Sequence, residues 1–272
     1  MILQNKVAVV TGGGGVLCGA FAKCLAQNGA KVAVLNRTLE KAEKVANEFG
    51  GLAIAANVLD KEGMEAARQI INQKLGTCDI LINGAGGNDP KGTTTKEYFE
   101  LDDLQNSEVK TFFDLDSDGI KYVFDLNFLG TLIPTQVFAA DMVGKSDATI
   151  INISSMNAFC PLTKIPAYSG AKSAVSNLTQ WLAVHFSKVG LRVNAIAPGF
   201  FITDQNRGML ITPDGEYTDR AKKILAATPF NRFGEPQELL GTLLYLADSK
   251  QSSFVNGVVI PVDGGFNAYS GV

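Results

Sequence analysis

The sequence has little histidine and no paired cysteines, and these two features exclude most metal chemistry. His185 is the only histidine among 272 residues. A His-rich metal centre is therefore excluded, as is a Ser-His-Asp hydrolase that uses any other base. Because His185 follows the apolar "WLAV", we expect it to be a packed core residue. The four cysteines, Cys18, Cys24, Cys78 and Cys160, form no C-x-x-C pair, which indicates neither a disulfide framework nor a zinc site.

Long hydrophobic runs and excess positive charge are missing as well. No stretch approaches the roughly 18 uninterrupted apolar residues of a membrane helix. No basic start leads into an apolar segment with a cleavage site, so we expect a cytoplasmic protein with no membrane partner. The net charge of −3 and the pI near 5.3 argue against a nucleic-acid partner, which would require a basic face.

What the sequence does contain is an alternation of short β-branched runs with helical patterns. Strands are predicted at 6–12, 31–37, 52–57, 79–86, 148–155, 191–199 and 258–265. Helices are predicted at 19–29, 38–50 (with Thr38 as N-cap) and 61–76. Such alternation predicts βαβ units and a parallel sheet covered on both faces. We therefore expect one α/β domain over 1–272, a doubly wound Rossmann fold with a seven-stranded parallel sheet and helices on both faces.

Two polar stretches interrupt this alternation, at about 87–117 and 200–228. Each follows the carboxyl end of a strand, which is the edge where open α/β sheets bind ligands. Long ordered excursions in a compact domain are usually lids or binding loops. The sequence therefore predicts a substrate side built from these two segments.

A run of four glycines in "TGGGG" (11–15) follows the first strand. A glycine-rich turn before a helix binds anions well, although a flexible turn remains open from this stretch alone. NAD-binding folds usually place Asp or Glu at the end of the second strand, where this chain has Asn36 and Arg37. Asn cannot repel a 2′-phosphate and Arg can bind one, which favours NADP over NAD unless Arg37 is merely solvated.

Later motifs lead to a family. "YSGAK" places Tyr168 and Lys172 one helical turn apart, "NISS" ends a strand with Ser155, and "DLNFLG" puts Asn127 in a helix. Each could be structural: a core tyrosine, a surface lysine, a polar residue bonded to its own helix. Together with "NGAG", "NAIAPG" and "VDGG" in this order, they resemble the short-chain dehydrogenase/reductase family over essentially the whole chain.

This resemblance implies an NAD(P)-dependent enzyme that interconverts a secondary alcohol and a ketone. Tyr168 would be the acid/base, Lys172 would favour its anion, Ser155 would hold the substrate oxygen, and Asn127 would hold a water linked to Lys172. The implied cofactor-binding residues are Gly12, Gly14, Gly15, Val16, Leu17, Asn36, Arg37, Asn57, Val58, Asn83, Ala85, Gly86, Tyr168, Lys172, Pro198, Gly199 and Thr203.

The chain departs from the family pattern at three positions. Val16 and Cys18 stand where T-G-x-x-x-G-x-G has its later glycines, and Gly84 replaces the second Asn of N-N-A-G. After a local shift of the turn, Gly15 would take over the close approach to the pyrophosphate, or the pyrophosphate would sit slightly farther out. We expect a phosphate cradle in a variant form.

The substrate is less constrained by the sequence. The excursions carry the polar residues Asn88, Lys91, Thr93, Thr94, Thr95, Gln205, Asn206 and Arg207. They suit a polyhydroxylated anion, although exposed loops are polar in any case. "TGGGGVLC" with "AGGNDPKGTT" resembles the sugar-acid branch of the family, in particular D-mannonate oxidoreductases (fructuronate reductases). In that case Arg207 or Lys91 would bind the carboxylate, with Asn88 and Ser155 also contacting substrate.

Several alternatives remain open at this point. They are a 3-oxoacyl-thioester reductase, a gluconate 5-dehydrogenase-like enzyme, a non-catalytic dinucleotide sensor, and an S-adenosylmethionine methyltransferase, which would not explain Y-x-x-x-K. The resemblance also implies a homo-oligomer, either a dimer or a tetramer.

Overall fold

Seven strands form the centre of the molecule, whose computed structural model describes residues 1–204 and 206–271. The strands are β1 (Val7–Thr11), β2 (Lys31–Asn36), β3 (Leu52–Ala55), β4 (Ile80–Asn83), β5 (Thr149–Ile153), β6 (Arg192–Pro198) and β7 (Val259–Val262). They pair in the order β3-β2-β1-β4-β5-β6-β7, and each pair is parallel. The predicted doubly wound sheet is confirmed.

The helices are α1 (Val16–Gln27), α2 (Leu39–Ala46), α3 (Lys61–Lys74), α4 (Ser117–Phe124), α5 (Gly130–Met142), α6 (Pro166–His185), α7 (Arg207–Leu210), α8 (Asp219–Ala227), α9 (Leu240–Ala247) and α10 (Ser249–Ser252). A π-helical turn, Asp125–Leu129, joins α4 to α5. The excursion at 87–117 contains no strand, only three 3-10 turns at Pro90–Gly92, Leu101–Gln105 and Phe112–Asp114.

Helices cover both faces of the sheet, and the alternation within each strand explains why. In β1, Ala8 and Val10 join a core formed with α1, α2 and α9. Val7 and Val9 point the other way and join a core formed with α3, α5 and α6. Successive side chains of a strand face opposite sides, so a strand buried on both sides must be apolar throughout, as β1 is.

Two details differ from the sequence-based expectation. Helix α1 begins at Val16 rather than at residue 19, so the glycine loop is shorter than predicted. His185 is exposed and stacks on Trp181 with ring centroids 4.6 Å apart, so its prediction as a core residue is wrong. The "WLAV" stretch is apolar on both sides of α6: Leu182 is buried, whereas Val184 faces solvent.

One helical stretch, Ser117–Met142, is long and apolar enough to cross a membrane by length and composition alone. Half of its most apolar window is buried inside the protein. Its side chains Val137, Phe138 and Met142 belong to the core between the sheet and α3. It is a core element of the fold, and its composition reflects that burial.

Candidate active site

The glycine loop lies at the carboxyl edge of the sheet, where β1 meets β4 and the strand order reverses. Gly12 has φ +64, and a Cβ built there would lie 2.8 Å from the Ala85 nitrogen. A side chain at residue 12 is therefore excluded by both conformation and space. The Gly15 N–H donates to the Gly12 carbonyl over 3.0 Å, and α1 starts directly after Gly15.

The residues of this loop fit a dinucleotide pyrophosphate. Gly15 brings no capping side chain to α1, and the first turn of α1 contains no acidic residue. The first N–H groups of a helix have no partner within the helix and favour an anion. Bare backbone from Gly12 to Gly15 leaves room for that anion, with Val16 and Leu17 supplying the first helical N–H groups.

Two of the departures from the family pattern, Cys18 and Gly84, compensate each other in space. A Cβ built on Gly84 would lie 2.1 Å from the Cys18 Sγ, so the thiol occupies the space that a side chain at residue 84 would need. The Thr11 hydroxyl accepts hydrogen bonds from the N–H groups of Gly84 (3.1 Å) and Ala85 (3.4 Å). Burial raises the pKa of the Cys18 thiol to about 12, so Cys18 fills space and does not act as a nucleophile.

The end of β2 lies directly beside the glycine loop. The Asn36 amide donates to the Thr38 carbonyl over 3.0 Å, and Arg37 is exposed. A Cβ built on Gly14 would lie 3.0 Å from the Asn36 Cγ and 2.7 Å from the Lys41 Cβ. Lys41, which sequence reasoning missed, therefore lies beside the loop. Its place on α2, one turn after Arg37, is the signal that could have revealed it.

The remaining implied cofactor residues fall into two groups. The Asn83 amide nitrogen donates to Thr135 and Asn152, both over 2.9 Å, so it ties β4 to α5 and β5, whereas its Oδ1 is buried without a partner in the described residues. The others line the same edge of the sheet: exposed Asn57, buried Val58, half-buried Ala85 and Gly86, buried Pro198, and half-buried Gly199 and Thr203.

Ser155, Tyr168 and Lys172 are brought together by β5 and α6. Ser155 follows β5 and begins a 3-10 turn, and its hydroxyl lies near enough to the Tyr168 phenol to lower the pKa of that phenol. The Lys172 Nζ lies 5.7 Å from the centre of the Tyr168 ring and donates to the Ile153 carbonyl over 2.8 Å. Three predicted residues therefore form one group.

Burial dominates the electrostatics of this group. Burial raises the pKa of Tyr168, and the nearby Ser155 hydroxyl only partly opposes it. Burial also lowers the pKa of Lys172 to about 8. Because the ammonium is bonded to Ile153 and lies 5.7 Å from the centre of the Tyr168 ring, Lys172 can act on the phenol only through its charge. A further positive charge is needed near the phenol, which an oxidised nicotinamide would supply.

Asn127 is fully buried in the π-helical turn. Its amide donates to the carbonyls of Gly87 and Val123, both over 2.7 Å. A Cβ built on Gly86 would lie 2.6 Å from the Asn127 Oδ1 and 3.2 Å from the Lys172 Nζ. Asn127 therefore lies close to Lys172, and its side chain ties the helix to the segment after β4. The water that it would hold remains a prediction.

The predicted substrate residues lie farther from this group. The Asn88 amide donates to Thr93 over 3.0 Å. Lys91 is exposed, with its Nζ 3.9 Å from an Asp116 carboxylate oxygen, and Arg207 is exposed at the start of α7. Gln205 lies outside the described residues. In the described part of the chain, no hydrogen bond joins Asn88, Lys91 or Arg207 to the catalytic group.

One backbone hydrogen bond does connect the excursion to the catalytic segment. The Thr94 N–H donates to the Lys164 carbonyl over 2.9 Å. Lys164 has φ 72, a left-handed conformation that is uncommon outside glycine. It lies between Ser155 and Tyr168 in the chain, so the excursion is attached to the loop that carries the candidate chemistry.

Comparison with known proteins decides the family. Residues 6–211 match the family model described as short chain dehydrogenase. The chain belongs to the short-chain dehydrogenase/reductase family. It is 60% identical to an uncharacterized oxidoreductase of Haemophilus influenzae, over 99% of this chain and 96% of that protein. It is 52% identical to the uncharacterized oxidoreductase UxuB of Bacillus subtilis, over 99% and 98%.

A solved structure from Haemophilus influenzae is similar over nearly its whole length. It superposes with a TM-score of 0.94 at 60% identity, covering 99% of this chain and 98% of that chain. That protein is provisionally assigned as a D-mannonate oxidoreductase and contains bound NAD. Family members are oxidoreductases that act on CH–OH groups with NAD or NADP, and this chain shares that fold and that family.

More distant relatives act on two kinds of substrate. The chain is 34% identical to 2-dehydro-3-deoxy-D-gluconate 5-dehydrogenase of Dickeya dadantii, over 98% of this chain and 97% of that protein. It is 31% identical to 7alpha-hydroxysteroid dehydrogenase of Paraclostridium sordellii, over 97% and 93%. At this level of identity the family is certain, whereas the substrate class differs between relatives.

Proposed function

We propose that this protein interconverts a keto group and a secondary alcohol on a sugar acid, as between D-fructuronate and D-mannonate, with a nicotinamide cofactor. The observation that carries the proposal is the contact of Ser155, Tyr168 and Lys172 beside a glycine loop suited to a pyrophosphate. A non-catalytic dinucleotide sensor would have no use for a phenol, a hydroxyl and a buried ammonium in this arrangement.

Each side chain has a distinct task in the proposed reaction. When bound, the nicotinamide supplies or accepts the hydride. Ser155 donates a hydrogen bond to the substrate oxygen and holds the carbonyl in place, because a fixed donor stabilises the negative charge that develops there. Tyr168 gives that oxygen a proton in reduction and removes it in oxidation.

Lys172 supplies a positive charge near Tyr168 and can donate a proton to it. Its pKa, lowered to about 8 by burial, keeps most of the ammonium charged at neutral pH. A charged neighbour favours the tyrosinate. A group that titrates near physiological pH can also return a proton to Tyr168, and Asn127 would hold the water that links Lys172 to solvent.

The sugar-acid assignment is supported by relatives and by the polar excursions. A 34% identical relative is a 2-dehydro-3-deoxy-D-gluconate 5-dehydrogenase, and a 32% identical relative from Gluconobacter oxydans is a gluconate 5-dehydrogenase. Asn88 and Thr93 place an amide and a hydroxyl on the 87–117 excursion. Such groups suit a polyhydroxylated substrate better than a steroid or an acyl chain.

Arg207 is the proposed carboxylate ligand, with Lys91 as the second candidate. Arg207→Ala should raise KM for D-fructuronate about 10- to 100-fold, because a charge-assisted hydrogen bond is lost. Lys91→Ala is the matched comparison, since Lys91 lies near Asp116 and its charge is partly balanced there. An unchanged KM in both variants would show that another cation binds the carboxylate.

NADP is the proposed preferred cofactor, with NAD as the alternative. At the ribose position this chain has the neutral Asn36 in place of a carboxylate. Two positive charges, those of Arg37 and Lys41, lie near it. The bound NAD in the 60% identical neighbour favours the alternative. Initial rates with NADPH and NADH decide between them, and Arg37→Ala should reduce the rate with NADPH selectively.

The deciding experiment follows nicotinamide absorbance with purified protein, D-fructuronate and each cofactor. 5-Ketogluconate and an acetoacetyl thioester serve as comparison substrates. Rapid oxidation of NADH or NADPH in the presence of D-fructuronate supports the proposal. If only another ketone is reduced, the reductase activity stands and the sugar-acid substrate is wrong. Cofactor binding is measured separately by thermal shift, so that a defective glycine loop is not mistaken for a wrong substrate.

The proposed assembly is a dimer or a tetramer, as the family resemblance implies, and the proposed location is the cytoplasm. Trp181 and Val184 expose apolar surface on α6, which a partner copy would cover. Light scattering after size-exclusion chromatography gives the oligomeric state directly.

A further inference from the structure

Asn157 is a buried amide beside the candidate catalytic group whose side chain makes no hydrogen bond within the described residues. Asn157 is 4% exposed, and its Oδ1 is buried without a hydrogen-bond partner in residues 1–204 and 206–271. It lies in the 3-10 turn that starts at Ser155. Its backbone N–H donates to the Ser155 Oγ over 3.2 Å, so the backbone of Asn157 lies directly against the hydroxyl that would hold the substrate carbonyl.

The neighbouring asparagines differ in that each uses its side chain in hydrogen bonds, including Asn83, whose Oδ1 is also unpaired but whose amide nitrogen donates twice. Asn127 makes hydrogen bonds to Gly87 and Val123, and the Asn152 amide donates to Thr179 over 2.9 Å. Most buried polar groups in folded proteins have such partners, since an unmade hydrogen bond destabilises the fold by about 1 to 3 kcal/mol. A buried amide oxygen without a partner calls for an explanation, and beside a candidate active site a ligand is one.

We propose that Asn157 is a specificity-determining residue that binds the substrate hydroxyl on the carbon next to the reacting carbonyl. This inference rests on the proposed function, because it assigns a contact within the same site. Ser155 holds the carbonyl oxygen, and Asn157 lies on the same turn, two residues farther along the chain. An amide both accepts and donates, so it recognises a hydroxyl with either hydrogen orientation.

The chemical consequence is selection for hydroxylated ketones. A site that is built to bind a hydroxyl disfavours a substrate without one, because the buried amide then remains unpaired. A plain ketone or a 3-oxoacyl chain would leave the Asn157 Oδ1 without a partner. The same amide therefore separates sugar-acid substrates from acyl and steroid substrates.

The test uses Asn157→Leu, which has a similar volume and no polar atom, and Asn157→Ala. Both should lower kcat/KM for D-fructuronate about 10- to 100-fold, mainly through KM, with the Kd for NADH or NADPH unchanged. Asn47→Ala, at an exposed position on the far end of α2, is the control and should change neither. Wild-type kcat/KM in both Asn157 variants would overturn the inference.

A second readout distinguishes binding from a structural role. Removing an unpaired buried amide should leave Tm unchanged or raise it in Asn157→Leu, whereas removing an internally bonded amide should lower Tm. A lower Tm together with weaker cofactor binding would overturn the inference without any turnover data.

Paired ketones separate the failure of this inference from that of the proposed function. Acetoin and 2-butanone differ by one hydroxyl next to the carbonyl. The wild-type preference for acetoin should fall about 10-fold in Asn157→Leu, because only the hydroxylated ketone loses a contact. If the wild type does not reduce D-fructuronate but Asn157→Leu loses the preference for acetoin, the sugar-acid function is wrong and the Asn157 contact stands. An equal fall in kcat/KM for acetoin and 2-butanone contradicts the Asn157 contact.

Discussion

The candidate catalytic group (Ser155, Tyr168 and Lys172) and the 87–117 excursion meet at the same edge of the sheet, yet different forces hold them. Lys172 is buried on α6 and bonded to β5, between elements that pack through apolar side chains. The excursion is exposed and held by polar contacts, such as the hydrogen bond of the Lys96 Nζ to the buried Asp103 carboxylate over 2.7 Å. Its aromatic residues Phe112 and Phe113 remain exposed.

This difference suggests a division of labour. Chemistry requires groups fixed to a fraction of an ångström, which close packing in the core supplies. Recognition of a substrate tolerates a segment with its own local structure, joined to the core through few bonds, such as that from Thr94 to Lys164. Changes in the core should therefore affect kcat, and changes in the excursion should affect KM.

The largest effect should come from Tyr168→Phe. Loss of the phenol removes the proton donor, so turnover should fall about 100- to 10,000-fold. Folding and cofactor binding should persist, because the ring remains and only one hydroxyl is lost. Steady-state kinetics with D-fructuronate and thermal shift with cofactor measure the two parts. A variant that retains most of its activity would remove Tyr168 from the mechanism.

Lys172→Met should reduce turnover and raise stability at the same time. Burial lowers the pKa of Lys172 from its usual 10.5 to about 8, so the folded state holds this proton less tightly than the unfolded chain does. Stability of the wild type then rises as pH increases from 8 towards 10.5. Methionine does not carry the buried charge, so the Tm of the variant should exceed that of the wild type below pH 8.

The pH dependence is the control for that prediction. The Tm advantage of Lys172→Met should shrink as pH rises through 8, because the wild-type lysine then becomes neutral. Differential scanning calorimetry at pH 7, 8 and 9 measures it. An advantage that grows with pH would mean that burial does not depress the lysine pKa.

Gly84→Asn should destabilise the protein by about 1 to 3 kcal/mol, as overpacking generally does. The reason is the 2.1 Å approach of a Cβ at this position to the Cys18 Sγ. Cys18→Gly removes that obstacle, so the double variant should be more stable than the sum of the single changes predicts. Urea unfolding of the wild type, the two single variants and the double variant completes this double-mutant cycle. Strict additivity of the changes in unfolding free energy would show that Cys18 and Gly84 are independent.

Lys96→Ala should have the smallest effect on the enzyme as a whole. It removes the partner of Glu100 and Asp103, so hydrogen exchange in the excursion should accelerate. The global Tm should move by about 2 °C or less, because Lys96 is partly exposed and Asp103 keeps the hydrogen bond from the Glu100 N–H after Lys96 is removed. KM for the sugar acid should rise while kcat stays constant. A large fall in kcat would show that the excursion also positions the catalytic group.

Sequence patterns were sufficient for the sheet and for the residues proposed as the catalytic group, whose role stays a prediction. Each observed strand lies within its predicted range, because a strand covered on both faces must be apolar throughout. The spacing of Tyr168 and Lys172 placed them on one helix face. Patterns were weaker at boundaries: α1 begins earlier than residue 19 because the glycine run ends at Gly15, and apolar Val16 already belongs to the helix.

Other properties depend on contacts between residues that are distant in the chain. His185 is exposed although its neighbours are apolar, since burial depends on which side of α6 meets the sheet. Asn83 and Asn127 look alike as polar residues, yet their partners come from β5, α5 and the segment after β4. These hydrogen-bond partners cannot be predicted from the sequence, because it does not show which elements come together.

By itself, therefore, the amino-acid sequence determined the alternation of strands and helices, the glycine loop and the Tyr168–Lys172 spacing, since each depends on residues that are close in the chain. The tertiary structure alone decided that the Cys18 thiol fills the space beside Gly84, that the Lys172 ammonium is bonded to Ile153, and that the Asn157 amide is buried without a partner. Local periodicity reports which residues avoid water, whereas space, burial and hydrogen-bond partners exist only after the chain has folded.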